Sequence, residues 1–269
     1  MLAAVDPLLD LMEIDADPID EPMLFMHQIQ MNDPRHTSSR GEKRELTRQQ
    51  VTSGHSFTDE ALIQPIYDAA DALGIRGIDE YPYDQAARDA GVIAVTGGRY
   101  NAMKDRVDHA NAGRTVWTPA AKLYIVGSDA SLDPTDVEQI RTEAPTLDPK
   151  IETDAAFAIL LQKKLPHTHL FVPRTHKADN RDVLREVALS VGEQVTRILV
   201  ETTAIYVPFT TADAGAVAEE LSQPGLFAVY GAPSNPEAVA KRQINTYRSE
   251  VMRTIIGAAR WNLEKRRRA

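Results

Sequence analysis

From residue 57 onward, short apolar runs alternate with longer amphipathic segments. Five runs are rich in β-branched and aromatic residues and end in small or polar ones: VIAVTGG, AKLYIVGSD, THLFVPRT, RILVETT and LFAVYGAPS. The segments between them repeat apolar residues at intervals of three and four, which is typical of helices of roughly ten to fifteen residues. This alternation predicts βαβ units. We therefore expect an α/β fold, Rossmann-like and doubly wound, with a mostly parallel sheet of about five strands and helices on both faces.

Capping residues predict where several helices begin or end. Thr58 is a candidate N-cap for the helix that Gly74 would stop, and Pro65 would kink that helix or mark its true start. Asp179 or Asn180 would cap another helix. The last and longest helix would begin at Asn235, and its residues Ile244, Tyr247, Val251, Ile255 and Ala258 form a stripe that predicts packing on the sheet or on a partner subunit. The segment after AKLYIVGSD is predicted to be a long loop.

The first part of the chain differs from the rest. One apolar helix face is predicted there, formed by Leu8, Leu9, Leu11, Met12 and Ile14, and Pro18 and Pro22 would stop that helix. A polar stretch follows, predicting an irregular N-terminal arm over residues 1–56, either a lid, a docking segment or a surface excursion. Residues 57–269 would form a single Rossmann-like domain with a long C-terminal helix.

Composition narrows the class of protein. The 269 residues carry a formal charge of −9 and include no cysteine, which argues against disulfides, thiolate metal sites and thiol nucleophiles. We expect a cytoplasmic protein, because the acidic N-terminus is unlike a signal peptide and no run approaches the ~18 apolar residues of a membrane span. The negative charge argues against nucleic acid and membrane partners. The basic run at 265–268 is either a solvated tail or a local nucleic-acid patch. A homo-oligomer stays an open alternative.

The residues that follow each predicted strand are the candidate site, because parallel strands bring their carboxyl ends to one edge where ligands bind. After the first strand, Gly97, Gly98 and Arg99 precede a helix, so they would form an anion cradle or only a tight turn. The segment matches neither the dinucleotide-binding nor the P-loop pattern.

The other strand ends add polar groups to this edge. Ser128 and Asp129 would hold ligand hydroxyls or open an Asx turn. Arg174 and Lys177 would add positive charge, and His176 would be an acid–base group near neutral pH. The remaining pocket-lining residues are predicted to be Thr202, Thr203 and Tyr206. The neighbouring Glu201 ends an apolar strand, so we expect it to be buried with a partner.

Other chemistries have little support in the sequence. His167 and His169 share one face of an extended segment, but no further metal ligands can be named for them, and no metal site is predicted. A GxSxG elbow for a serine nucleophile is absent. No particular cofactor is indicated.

The order of motifs over residues 91–234 resembles that of the YdcF-like and ElyC-like family of bacterial proteins. VTGGRYNAMKDRVDHA, with Arg106 and Ala110, is similar to the family's glycine-ended strand and its arginine- and alanine-bearing helix. YIVGSD, DNRDVL and LVETTAIYVPFTTA resemble its later motifs. Tyr206 stands where the family has histidine and Phe209 where it has arginine. The helix start lacks the family's usual glutamate and asparagine pair, and Asp182 is at best a replacement for one of them. The resemblance implies a Rossmann-like fold and a small anionic or nucleotide-like ligand, since some members bind S-adenosylmethionine.

Three hypotheses follow for the function. The leading one is binding of a small anionic or nucleotide-like ligand, S-adenosylmethionine-like among the options, at the carboxyl ends of the strands. The second is hydrolysis of a small ester or phosphoester with His176 as the acid–base group. The third is a non-catalytic interaction protein. The sequence alone does not decide whether the chain is an enzyme.

Overall fold

The computed structural model describes residues 5–11, 14–18, 20–25, 28, 63–176, 178–192, 194–234 and 244–268. The chain divides into two compact units. A sheet unit comprises Asp79–Val207 and Gln223–Ser234, and a helical unit comprises Met1–Ile78, Pro208–Ser222 and Asn235–Ala269. The predicted boundary between an arm at 1–56 and a domain at 57–269 falls outside the described residues and stays a prediction. The predicted caps Thr58 and Asn235 also lie outside them.

The main elements alternate between helix and strand through the sheet unit, as the sequence pattern predicts. The helices are α1 Asp6–Leu11, α2 Ile63–Ala72, α3 Tyr100–Trp117, α4 Pro134–Glu143, α5 Glu152–Lys163, α6 Asn180–Val191, α7 Val207–Glu220 and α8 Ile244–Arg268. The strands are β1 Val92–Val95, β2 Lys122–Val126, β3 Thr168–Phe171, β4 Ile198–Thr203 and β5 Phe227–Ala232. Short 3₁₀ turns precede β1 at Gln85–Asp89 and follow β4 at Ala204–Tyr206.

The five strands form one parallel sheet in the order β3-β2-β1-β4-β5. This confirms the predicted Rossmann-like α/β fold. The central strand β1 pairs on both sides, so that Val95 lies opposite Ile125 on β2 and Glu201 on β4. Because β1 to β3 build the sheet in one direction and the chain then returns to β4, the switch in strand order lies between β1 and β4.

The sheet is held by an apolar core between its strands, α3 and α5. All four residues of β1 are buried, as expected for the central strand of a parallel sheet. Each fully buried Ile or Leu of this core, such as Ile93 and Leu123, contributes about 1.5–3 kcal/mol. Gly113 on α3 contacts the ring of Tyr83 so closely that a Cβ there would lie 1.3 Å from the ring.

One helix of the sheet unit differs from the prediction. Residues after β2 were expected to form a long loop, but they contain α4, with Asp133 as N-cap and Pro134 at its first position. Only Asp136 and Ile140 of this helix are buried. The helix therefore has almost no apolar stripe from which it could be predicted.

The helical unit is built around α8. Tyr247, Val251 and Ile255 of the predicted stripe are buried, and the Tyr247 ring packs edge-on against Tyr67 of α2 at 5.8 Å. In the basic end of α8, Arg268 bonds to Glu219 at 2.9 Å. The other two arginines of that end contact acidic partners, Arg266 with Asp20 and Arg267 with Glu264. None of the described helices is both long and apolar enough to cross a membrane.

Candidate functional site

The carboxyl ends of β1 and β4 are joined by a buried arginine on α3. Arg106 donates from Nε to the Thr203 hydroxyl at 2.9 Å and from Nη1 to the Thr96 carbonyl at 2.9 Å. The same Nη1 also contacts the Gly97 carbonyl. Only 3 % of Arg106 is exposed. The guanidinium therefore lies at the switch in strand order, which is where α/β folds of this type bind ligands.

Part of this guanidinium is not used by the fold. Within the described part of the chain, Nη2 of Arg106 has no hydrogen-bond partner. Gly98 covers the group closely, since a Cβ there would lie 3.2 Å from Nη1 and 3.5 Å from Nη2. Gly98 also has a φ of 144°, a conformation that side chains rarely adopt. Glycine at 98 therefore leaves room against the guanidinium that any other residue would fill.

The charge of Arg106 is balanced by its neighbours. Burial lowers the pKa of Arg106, while Tyr206, Glu201 and Glu152 act in the opposite direction. An arginine keeps its proton under such conditions. The Tyr206 ring lies 5.9 Å from Cζ, within the range of a cation–π contact. The site thus keeps a positive charge with one aromatic neighbour.

A buried carboxylate lies on the β2 side of the same glycine turn. Glu152, the first residue of α5, accepts a hydrogen bond from the Ser128 hydroxyl. A Cβ at Gly97 would lie 3.0 Å from its Oε2. Gly127 lets α5 approach the end of β2, since a Cβ added at this position would lie 2.6 Å from Thr153 Cα. The two consecutive glycines therefore lie against groups of opposite charge. Gly97 lies against the Glu152 carboxylate, and Gly98 lies against the Arg106 guanidinium.

The partners of Arg99 differ from those of Arg106. Its guanidinium donates to the Thr135 hydroxyl at 2.8 Å and lies 3.3 Å from Asp133 and 3.5 Å from Asp136. All three partners belong to α4 or its N-cap. Arg99 is 59 % exposed. It thus attaches the start of α3 to α4, while the buried positive charge beside Gly98 comes from Arg106.

The predicted residues after β2 and β3 come together in part. His176 Nδ1 contacts the Asp129 carboxylate, but the His176 side chain is 80 % exposed. Arg174 is exposed and its backbone N–H donates to Glu186. Lys177 lies outside the described residues. Asp179 accepts a hydrogen bond from the Asp182 N–H, which confirms the predicted helix cap.

The predicted residues at the end of β4 and just after it divide between the two faces of the sheet. Thr203 points toward α3, where it bonds to Arg106, and Tyr206 lies over the same group. Thr202 is buried and, by the alternation along a strand, faces the other side.

Glu201 has the partner that its burial required. It is fully buried, and its Oε1 lies 3.0 Å from Nδ1 of His109 on α3. Burial raises the pKa of Glu201, and the interactions with His109 and Tyr83 partly oppose this rise. Burial alone would lower the pKa of His109, but the hydrogen bond and charge of Glu201, with the charge of Glu80, outweigh it and raise that pKa. The pair therefore holds a proton more tightly than an exposed histidine and glutamate would.

Tyr83 completes this cluster. Its ring lies 5.6 Å from the His109 ring and 4.6 Å from that of Tyr230. The Tyr83 hydroxyl is near enough to the Glu201 carboxylate for each to shift the pKa of the other. Within the described residues, however, neither this hydroxyl nor Glu201 Oε2 makes a hydrogen bond of good geometry. Burial, followed by the charge of Glu201, raises the pKa of Tyr83 well above its ordinary value.

Sequence reasoning did not single out His109 or Glu152, and it named Arg106 only through the family resemblance. A signal existed for two of them, since Arg106 and His109 lie on the α3 face that carries the buried Met103 and Ala110. Polar residues on an apolar stripe indicate buried polar partners. No comparable signal marks Glu152.

No family model, curated protein or solved structure matches this chain. The resemblance to the YdcF-like and ElyC-like family therefore stays a prediction. Among the described residues, no group of three or more histidine and acidic side chains could hold a metal ion.

Proposed function

We propose that this protein binds a small anionic, nucleotide-like ligand at the carboxyl edge of its sheet, between the ends of β1 and β4. The observation that carries the proposal is the buried guanidinium of Arg106, which lies at the switch in strand order beneath Gly98. A buried arginine offers a forked donor that suits a phosphate or carboxylate. Its Nη2 makes no hydrogen bond with a described residue and is the atom that would meet the anion.

The ligand would also carry hydrogen-bond donors. Glu152 and Ser128 lie on the other side of the Gly97–Gly98 turn, and a carboxylate accepts hydrogen bonds from hydroxyl or amino groups. A nucleotide supplies both kinds of group, an anionic phosphate and the hydroxyls of its sugar. Thr203 and Tyr206 would border the anion, since both lie against Arg106.

Calorimetric titration of the whole chain tests this proposal. The probes are inorganic phosphate, AMP, ATP and S-adenosylmethionine. We expect at least one of them to bind, and Arg106→Lys to weaken that binding at least tenfold, because lysine lacks the forked donor. Arg114→Lys is the matched control: Arg114 is buried on the same helix and bonds to the Pro166 carbonyl at 2.8 Å, two turns away. Binding by no probe, or equal binding by both variants, would overturn the proposal.

Hydrolysis of a small ester or phosphoester with His176 as the base is the second candidate. The contact between His176 Nδ1 and the Asp129 carboxylate favours it, since an acid partner orients an imidazole for proton transfer. A chromogenic ester and phosphoester screen of wild type and His176→Asn tests it. Turnover that survives in His176→Asn would exclude His176 as the base.

A further inference from the structure

We propose that His109 is an acid–base group of this protein, positioned by Glu201, and that it acts on a ligand whose anionic part is bound at Arg106. This inference rests on the proposed function, because it takes the place of the ligand from it. It assigns a reaction to that site, namely hydrolysis of a small phosphoester or carboxylic ester.

The His109 imidazole is held by a buried carboxylate. The Glu201 carboxylate is fully buried and lies 3.0 Å from His109 Nδ1. A carboxylate can only accept in this contact, so the neutral imidazole carries its proton on Nδ1 and has its lone pair on Nε2. Nε2 makes no hydrogen bond with any residue that the structure describes, and the side chain is 17 % exposed. This is the arrangement by which a carboxylate orients a histidine for proton transfer.

His109 lies close along α3 to the proposed anion-binding group, Arg106. Arg106 and His109 are three residues apart on one face of α3. Their partners Thr203 and Glu201 are two residues apart on one face of β4, so the two contacts form adjacent cross-links between the same helix and strand. Two residues of a strand span roughly 7 Å. The separation of the two cross-links along β4 is therefore shorter than the length of a nucleotide.

Charged and aromatic groups surround the His109 imidazole. Glu201 faces it from β4, Glu80 and Tyr83 from the segment before β1, and Arg106 precedes it on α3. On β5, the Tyr230 hydroxyl donates to Asp84 at 3.1 Å, while its ring packs on Tyr83. The two carboxylates favour the imidazolium and burial opposes it, and the net direction is a raised pKa. The charges of Glu201 and Glu80 therefore favour the protonated ring, which is the form that returns a proton to a leaving group.

The reaction uses water as its second substrate. Nε2 takes a proton from water while the water oxygen forms a bond to the phosphorus or carbonyl carbon of the ester. The bond from that atom to the leaving oxygen breaks, and the leaving oxygen receives the proton from Nε2–H. No group is oxidised or reduced, and the imidazole returns to its starting state. Arg106 holds the anionic part of the substrate throughout.

An NMR titration of the whole chain tests how Glu201 positions the imidazole. The ring signals of His109 are assigned by comparison with His109→Asn. We expect the neutral ring to carry its proton on Nδ1 and Glu201→Gln to lower the pKa of His109, because the negative charge that stabilises the imidazolium is lost. The ring signals of the exposed His169 should not change. An unchanged pKa and tautomer of His109 in Glu201→Gln would overturn the positioning role.

Turnover of p-nitrophenyl phosphate, p-nitrophenyl acetate and bis-p-nitrophenyl phosphate tests the activity. We expect His109→Asn to reduce turnover of the hydrolysed probe at least 100-fold, the usual scale of general acid–base catalysis. His169→Asn is the control and should stay within about twofold of wild type. Glu201→Gln should move the lower limb of the pH–rate profile to lower pH. Turnover of none of the three probes, or loss in His176→Asn but not in His109→Asn, would overturn the inference.

Calorimetry on His109→Asn separates this inference from the proposed function. The variant should bind the nucleotide probe within threefold of wild type, because Arg106 and Gly98 are unchanged. A wild-type chain that binds the probe but hydrolyses no ester overturns the acid–base role alone. A chain that binds no probe overturns both.

Discussion

The Arg106 guanidinium and the Thr203 hydroxyl join the second turn of α3 to the last residue of β4 through a hydrogen bond of 2.9 Å. The same arginine bonds to the Thr96 carbonyl just beyond β1. The strand order reverses between β1 and β4. The Arg106 side chain therefore joins the carboxyl ends of the two strands between which the candidate site lies. The candidate site is therefore part of the structure that holds the central strands together.

Replacing Thr203 with valine tests this relationship. The substitution keeps the shape of the side chain and removes the acceptor of the Arg106 Nε–H. We expect the free energy of unfolding to fall by about 1–3 kcal/mol, the usual value for a hydrogen bond to a charged group. Urea unfolding followed by circular dichroism measures it. Thr202→Val is the control, because the buried Thr202 side chain has no hydrogen bond to a described residue. Equal losses in both variants would contradict the prediction.

The fold was predictable because its strands are short, apolar and separated by segments of helical period. VIAV at 92–95 became the fully buried central strand, as a continuous apolar run predicts. The helix α4 was not predictable in this way. It packs through few buried residues, and its Asp133–Pro134 start is equally typical of a turn.

The predicted site was correct in its edge of the sheet but incomplete in its side chains. Arg99 follows the glycines in the chain, yet it bonds to α4, whose existence the sequence did not indicate. Arg106 comes about two turns later on α3. Because helical side chains tilt toward the helix N-terminus, it reaches back to Gly97 and Gly98. The partner of Glu201 could be expected but not named, because His109 meets it only through the packing of α3 on β4.

Two buried tyrosines, Tyr230 and Tyr100, should contribute to the loss of stability at alkaline pH. Burial, with the neighbouring Asp84, raises the pKa of Tyr230 to about 12, and burial with Glu143 raises the pKa of Tyr100 to about 12. An unfolded tyrosine ionises near pH 10. Between pH 10 and 12 the folded chain thus holds more protons than the unfolded chain, so the free energy of unfolding falls as the pH rises.

Urea unfolding at several values between pH 9 and 11.5 measures this effect. Tyr230→Phe has no proton to lose at that position, so its stability should fall less steeply than that of wild type over the same range. Tyr100→Phe should act in the same direction, and the double variant should have the flattest profile. Parallel profiles for wild type and Tyr230→Phe would contradict this prediction, because they would mean that Tyr230 has the same pKa in the folded and the unfolded chain.

Gly113→Ala tests the packing that holds Tyr83 beside His109. Alanine inside a helix is usually more stable than glycine by about 1 kcal/mol. Here the new methyl group would lie 1.3 Å from the Tyr83 ring, so the ring must move, and we expect a net loss of about 1–3 kcal/mol. The same substitution in a Tyr83→Ala background should instead stabilise the chain by about 0.5–1 kcal/mol, because only the helix preference remains. Thermal and urea unfolding of wild type, Gly113→Ala, Tyr83→Ala and the double variant measure the sign of the stability change in each background. If Gly113→Ala changes the stability in the same direction in both backgrounds, the Tyr83 ring does not lie against Gly113 in solution.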